Sequence, residues 1–149
     1  MTIAAGLGLD GLIALRELSR DEVLERFGLG EADVVTGVGF GKLSGLDRID
    51  GGEDFPGHFF FRGSEQVLLY LGRHELGGAD LAELERDLGA PAETLRSRTG
   101  AESQLRIHPD RGVAYATDGT AVENLEIFAP TTMERYRTEV YEDPGEFFR

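Results

Sequence analysis

The side chains best able to do chemistry in this chain are carboxylates crowded into two short segments. Asp47, Asp50, Glu53 and Asp54 follow one another closely around Gly51 and Gly52. Oxygens gathered in this way can hold a hard cation. Calcium loops, however, set ligands at alternating positions around a glycine and close on a bidentate glutamate, and this spacing does not follow that template. What such a segment can do instead is recognise charge, with carboxylates withdrawn from water against arginine or lysine of a basic partner. A second set, Glu139, Tyr141, Glu142, Asp143 and Glu146, is interleaved with Tyr136, Phe147 and Phe148. Aromatic side chains anchor an interface while acids select its partner. Both sets are candidate partner-binding residues.

No other residue types are arranged for a reaction. His58, His74 and His108 lack the one-turn spacing of a metal-binding pair. Ser19, Ser44, Ser64, Ser97 and Ser103 lie outside any Gly-x-Ser-x-Gly elbow. Cysteine is absent, which excludes disulfides, thiolate catalysis and cysteine-ligated zinc or iron–sulfur centres. With 28 acidic residues in the chain, no single pair stands out as a catalytic acid and base. Gly51-Gly52-Glu53-Asp54-Phe55 looks like a scrambled diguanylate cyclase signature, but its acids are inverted and no strand is expected before it. The expectation is a protein that is not an enzyme, with no cofactor and no metal.

Charge then narrows the partners. A formal net charge of -13 and a sequence pI near 4.6 repel phosphate and anionic headgroups, which disfavours nucleic acid and membrane surfaces and favours a basic protein. A hydrophobic content of 40% separates the chain from acidic disordered tails, and 149 residues suit one domain. The opening Met1-Thr2-Ile3-Ala4-Ala5-Gly6 lacks the basic residues of a secretory signal, and no uncharged stretch is long enough to cross a bilayer. The expected location is the cytoplasm.

The elements that must position these groups are marked by their caps. Ser19 with Glu22, and Asp80 with Glu83, form capping-box patterns, and Gly28 and Gly89 suit the left-handed position past each helix. Leu12-Ile13-Ala14-Leu15 is too short to decide between a buried strand and an extra helical turn, and reads first as a strand leading into the first helix. Val34 through Phe40 reads as extended, its glycines marking a bulge or a close backbone approach, and Ser44 through Gly57 as a long polar loop. His58 through Arg62 and Gln66 through Leu71 form a hairpin across Gly63-Ser64, and alternation along Phe59-Phe60-Phe61 leaves one aromatic face for a partner or a second copy. In the second half Ala92 through Leu95 reads as a helical turn. Strands are expected at Gln104 through His108, Val113 through Thr117 and Val122 through Phe128. Thr131 and Glu134 suggest a capping box opening a last helix.

A helix followed by an antiparallel meander thus occurs twice, over 11–76 and 77–128, with a C-terminal helix and tail over 129–149. The expectation is α+β: two tandem helix-plus-meander units building one sheet-based domain over 1–149. This arrangement resembles the tandem repeat of the beta-lactamase inhibitor protein fold and the related BamE-like small lipoprotein unit. The resemblance rests on the helix closed by Leu88-Gly89-Ala90-Pro91 with strands 104–108, 113–117 and 121–128, and on a weaker echo at Phe27-Gly28 with strands 59–62 and 66–71. The lipid-anchor cysteine, the disulfide and the export signal of those proteins have no counterpart in this sequence. The resemblance implies a non-catalytic binding domain that presents a sheet face or its loops to another protein. With the charge, it suggests an acidic inhibitor of the bacterial immunity type that neutralises a basic toxin or enzyme. The alternatives are a small-ligand or metal-binding α+β domain and an accessory module that self-associates as a homodimer through the phenylalanine-rich hairpin.

Overall fold

Helix α1 (Gly8–Arg16) occupies the run expected to be a strand. Leu9, Leu12 and Leu15 recur every third residue and are all buried, while Asp10 in the first turn and Arg16 in the last complement the helix dipole. The stripe starts at Leu9, before the short run on which the strand reading rested. Its C-terminal carbonyls are capped from outside: the buried Gln66 amide donates to the carbonyls of Leu15 and Leu18 at 3.0 and 2.9 Å. These features come from a computed structural model, which describes residues 7–52, 55, 57–72, 80–97 and 102–143.

Helix α2 (Arg20–Arg26) carries the expected capping box, with the Glu22 N–H donating to Ser19 Oγ and the Ser19 N–H to Glu22 Oε1. Gly28, at φ +65°, turns the chain so that the Gly28 and Leu29 N–H groups reach the carbonyls of Glu25 and Leu24 at 3.3 and 2.8 Å. Helix α3 (Asp80–Leu88) ends on Gly89, whose N–H reaches the Glu85 carbonyl at 3.0 Å. The Asp80 side chain, and with it the second cap, lies outside the described residues. Helix α4 (Met133–Arg135) continues as a π-helical turn over Tyr136–Val140. Its cap is Thr132 rather than Thr131, and the third helical residue is then Arg135, so the expected capping box does not form. Among the described residues, no helix is long and apolar enough to cross a membrane.

Eight strands follow the helices in two runs: β1 (Val34–Phe40), β2 (Leu43–Asp50), β3 (His58–Arg62) and β4 (Glu65–Leu71), then β5 (Glu93–Arg96), β6 (Gln104–His108), β7 (Val113–Thr117) and β8 (Val122–Ile127). They form one antiparallel sheet in the order β1-β2-β3-β4-β8-β7-β6-β5. The architecture is α+β. Two expectations fail here. Much of the supposed loop over 44–57 is strand β2, in which Leu46 and Ile49, fully buried on opposite faces, sit among Asp47, Arg48 and Asp50. A strand therefore does precede Gly51-Gly52. The supposed helical turn at 92–95 is edge strand β5, where pairing of Glu93 with Ile107 and Leu95 with Leu105 overrides local preference.

The two faces of the sheet are covered differently. On one face α1, α2 and α3 bury Leu9, Leu12, Val23, Leu24, Leu81 and Leu84 against Phe59, Phe61, Leu69, Leu71, Tyr115, Leu125 and Ile127. On the other, Leu46, Phe60, Leu68, Leu105, Ile107, Ala114 and Ala116 lie beneath Phe128 and Tyr136. Phe59 and Phe61 alternate with Phe60 as expected. Phe60 is nevertheless buried, with its ring 5.7 Å from that of Phe40, and offers no open aromatic face.

The sheet is also strongly curled. Laid flat, its edge strands would sit roughly 34 Å apart at about 4.8 Å per spacing. Yet Phe40 of β1 and Arg96 of β5 line the same cavity. Bulges increase local twist and bend, and β1 carries register shifts on both sides of Val38 with Gly37 at φ +70°, while the β3–β4 and β7–β8 pairings carry one each. The expected glycine bulge is therefore present.

Candidate functional site

The curled face and the α4 segment enclose a cavity of about 250 Å³. Its floor comes from β8, flanked by Tyr70 of β4 and Leu105 of β6. Asn124 and Glu126, two residues apart on β8, face the same side, and their cross-strand partners on β7 are Ala116 and Ala114, whose short side chains leave the space open. Aromatic walls are supplied by Phe40, Tyr70, Tyr136 and Tyr141, with Arg96 and Glu142 also lining the cavity.

The π turn explains why two tyrosines of the roof reach it together. Five residues along an α-helix place side chains roughly 140° apart at 3.6 residues per turn. Here the Tyr141 N–H donates to the Tyr136 carbonyl five residues back at 2.9 Å, and the wider turn brings both rings to the cavity. The Tyr136 hydroxyl donates to the buried Glu126 carboxyl at 2.6 Å. The Tyr141 hydroxyl donates to the Arg96 carbonyl at 2.8 Å, and burial, helped by the Asp143 charge, raises its pKa above the usual tyrosine value. The Asn124 Oδ1 is buried with no hydrogen-bond partner among the described residues, and Asn124 as a whole is 8% exposed.

The roof is fastened at both edges of the sheet. At the β1–β2 turn the Lys42 N–H donates to the Val140 carbonyl at 3.0 Å and its ammonium to the Arg137 carbonyl at 3.2 Å, satisfying carbonyls that a helix end leaves open. Gly41, at φ +57°, makes this approach possible, because a Cβ there would sit 2.1 Å from the Val140 oxygen. At the other edge Arg137 pairs with Glu93 of β5, and Arg96 with Asp143 at 3.3 Å.

The sequence-predicted residues are divided among these surroundings. Tyr141 and Glu142 line the cavity. Asp143 borders the adjoining depression with Lys42 and Arg137. Glu139 bonds Arg135 one turn away at 2.8 Å, which lowers its pKa. Asp47 and Asp50 do not sit together in a loop: strand alternation sends them to opposite faces. Asp47 pairs with Arg20 of α2 at 3.4 Å on the helix-covered side. Asp50 accepts from His58 Nδ1 at 2.6 Å and lies 3.1 Å from Arg48 Nε. Glu53, Asp54 and Glu146 lie outside the described residues, as does His74.

Asp50 connects to the cavity in a way its position in the sequence hides. Asp50, His58, Tyr70 and Glu126 are successive cross-strand partners on β2, β3, β4 and β8, so they form one polar row across the face. His58 and Tyr70 stack with centroids 6.3 Å apart. The other described histidine, His108, is on the opposite face, stacked on Tyr115 at 6.0 Å, and burial lowers its pKa. Among the described residues, no three His, Asp or Glu side chains converge as a metal site.

Sequence reasoning missed Glu126, Asn124 and Tyr70. Asn124 through Ile127 alternates polar and apolar residues, which signals a half-solvated strand. The roof buries the polar side as well, and nothing local in β8 announces the roof. No protein-family model, curated protein or solved structure matches the chain.

Proposed function

We propose that this protein is a non-catalytic binding domain that neutralises a basic partner protein, a toxin or an enzyme, by docking it on the roofed face of the sheet. The observation that carries this reading is the placement of acceptors. In a chain of net charge -13, the row from Asp50 to Glu126 and the cavity acid Glu142 share the sheet face that, among the described residues, the 133–143 segment covers. A surface of that sign attracts a basic protein at long range and accelerates the encounter.

The reading includes a tandem origin for the fold and, with it, the resemblance to the beta-lactamase inhibitor protein architecture. Its support is the order of elements. Each half runs from helix into four antiparallel strands, and the last strands, β4 and β8, meet antiparallel at the centre through Leu69 with Ile127 and Leu71 with Leu125. The strand order is consequently symmetric about that junction. A cytoplasmic site of action belongs to the same reading. A small-ligand role is the second reading, favoured by the cavity itself.

Capture from native lysate at low salt, followed by a rising salt gradient, tests the first reading. One stoichiometric basic protein, eluting as salt screens the contact and losing its own activity when the two are recombined, is the expected result. An empty eluate at low salt, with thermal stabilisation by a metabolite instead, overturns it in favour of the second.

A further inference from the structure

We infer that a second cavity, between the C-terminal end of α1 and the β3–β4 turn, binds the primary ammonium group of a small aliphatic amine. This goes beyond the partner reading. The cavity shares no described lining residue with the roofed one, so its ligand is independent of a protein docked there.

Three features converge. The first is an acceptor without a donor. Gln66 lines this cavity and is only 9% exposed, and its Oε1 is buried with no hydrogen-bond partner among the described residues. Turning the carboxamide over does not relieve it, because Nε2 donates to the Leu15 and Leu18 carbonyls at 3.0 and 2.9 Å and a flip sets oxygen against both. A buried acceptor left unmet costs free energy, and an N–H group from a ligand satisfies Oε1 without disturbing that cap. The second is charge. Glu17 and Glu65 line the cavity, which lies past the last turn of α1, at the negative end of the helix dipole. Arg16, the one cation among the described lining residues, is already held: its Nη1 donates to the Phe128 and Arg111 carbonyls at 2.6 and 3.1 Å, and its Nε to Glu17 at 3.3 Å. The third is shape. A volume of about 300 Å³ stands at the small end of ligand pockets, and Leu18 and Ala129 are apolar lining residues for a methylene stem.

Ammonium fits this set better than guanidinium. It is a compact charge that reaches a recessed acceptor from the end of a stem, whereas guanidinium gains by stacking, and no aromatic ring is among the described lining residues. The mouth is polar, with the Glu17 side chain 72% exposed, so the ammonium keeps part of its hydration. A neutral alcohol serves Oε1 but leaves Glu17 and Glu65 unanswered. A carboxylate brings no donor and adds a further negative charge beside them.

The test is an amide-detected NMR titration of the full chain with n-butylammonium, alongside n-butanol and butyrate, which keep the stem and change the head. The expected result is saturable shifts at Leu18, Ser19, Glu65 and Gln66, the Gln66 side-chain amide included, with the amine bound in about the millimolar range. The alcohol should bind several-fold more weakly, and butyrate should cause no saturable shift. Gln66→Met should weaken amine binding about tenfold. Should that variant lose its native spectrum along with the α1 cap, two others decide instead. Glu65→Gln should weaken the amine but not the alcohol, and Ala129→Leu, which narrows the cavity, should weaken both.

Equal binding of butyrate, shifts confined to the roofed face, full affinity in the variants, or no saturable shift at all, which leaves the cavity to water, overturns the inference. A free amine is separated from a protein lysine with a captured basic partner. Bound n-butylammonium should stay in place when that partner is added, and its displacement would overturn the free amine as the source and seat a partner lysine in the cavity. If the amine binds but low salt captures no partner, the partner reading fails and this site survives. Capture of a partner with no amine bound gives the reverse.

Discussion

The two faces of the sheet are built from one set of strands yet solve different problems. On the helix-covered face, Phe59, Phe61, Leu69, Leu125 and Ile127 meet leucines of three helices and form a dry core. Its polar members are tied at the edges, as where Arg106 donates to Glu85 of α3 at 2.8 Å and stacks over the Tyr115 ring. On the roofed face the same strands present Asn124, Glu126, Tyr70 and His58 beside Phe60 and Leu68, with one short segment fastened across them at Lys42 and Arg96. Packing density sets the first face, and hydrogen-bond geometry the second. The lesson is that burial by itself does not separate core from site: Leu125 and Glu126 are adjacent and both buried, but only Glu126 needs a donor to be so.

This contrast can be broken most severely on the helix-covered side. Phe59→Ala should cost roughly 3–5 kcal/mol, since it leaves a cavity where Phe27 and Phe55 rings pack within 6 Å. Urea denaturation monitored by circular dichroism measures it. A loss under 1 kcal/mol would show the supposed dry core to be loosely packed.

The roof should be next in sensitivity, and separable. Gly41→Ala forces a Cβ against the Val140 carbonyl in left-handed backbone and should cost roughly 2–3 kcal/mol. Its distinguishing sign is faster hydrogen exchange at Tyr136 and Tyr141 with α1 unaffected. If the whole chain opens together, the two faces are one cooperative unit.

Tyr136→Phe sharpens the comparison at a single bond. Removing the hydroxyl that Glu126 accepts should cost about 1.5 kcal/mol, whereas the same atom deleted at an exposed tyrosine would cost little. Thermal unfolding of the variant against wild type gives the answer, and unchanged stability would mean that Glu126 finds another donor without loss.

Acid should weaken the helix-covered face by a small amount. His108 is buried with its pKa below the ordinary value of 6.5, so the unfolded chain binds the proton more readily than the folded one. Stability from this group is therefore complete above pH 6.5 and declines as pH falls below it. Urea midpoints at pH 7.5 and 5.5, compared between wild type and His108→Phe, should show a shallower decline in the variant. At still lower pH the exposed Asp118, held down to about 2 by the Thr120 hydroxyl and the turn N–H groups, loses its stabilising turn contacts between pH 3.8 and 2.

Several elements were legible in the residues because their causes are local. The Ser19–Glu22 box, the glycine after α2, the hairpin across Gly63-Ser64 and the strands at 104–108 and 113–117 each depend on neighbours in the chain. The misread elements depend on distant ones. Strand β2 exists because β1 and β3 pair with it on both sides, and its three apolar residues, Leu43, Leu46 and Ile49, are too sparse to announce it. Strand β5 exists because β6 does. Of the candidate site, Tyr141 and Glu142 were visible as an aromatic–acid mixture, but Asn124 and Glu126 looked like the wet side of a strand.

The sequence by itself determined the charge, the absence of thiol chemistry, the capped α2 helix, the main hairpins and the alternation that divides Phe60 from its neighbours. Those follow from composition and from interactions that span a few residues. Tertiary structure alone decided that the sheet curls until Phe40 and Arg96 share one cavity, and that Asp47 and Asp50 part to opposite faces. It also decided that a π turn brings Tyr136 and Tyr141 to the same cavity. The physical reason is that burial and hydrogen-bond demand belong to positions in space. A polar residue in β8 becomes part of a site only when a segment from farther along the chain closes over it.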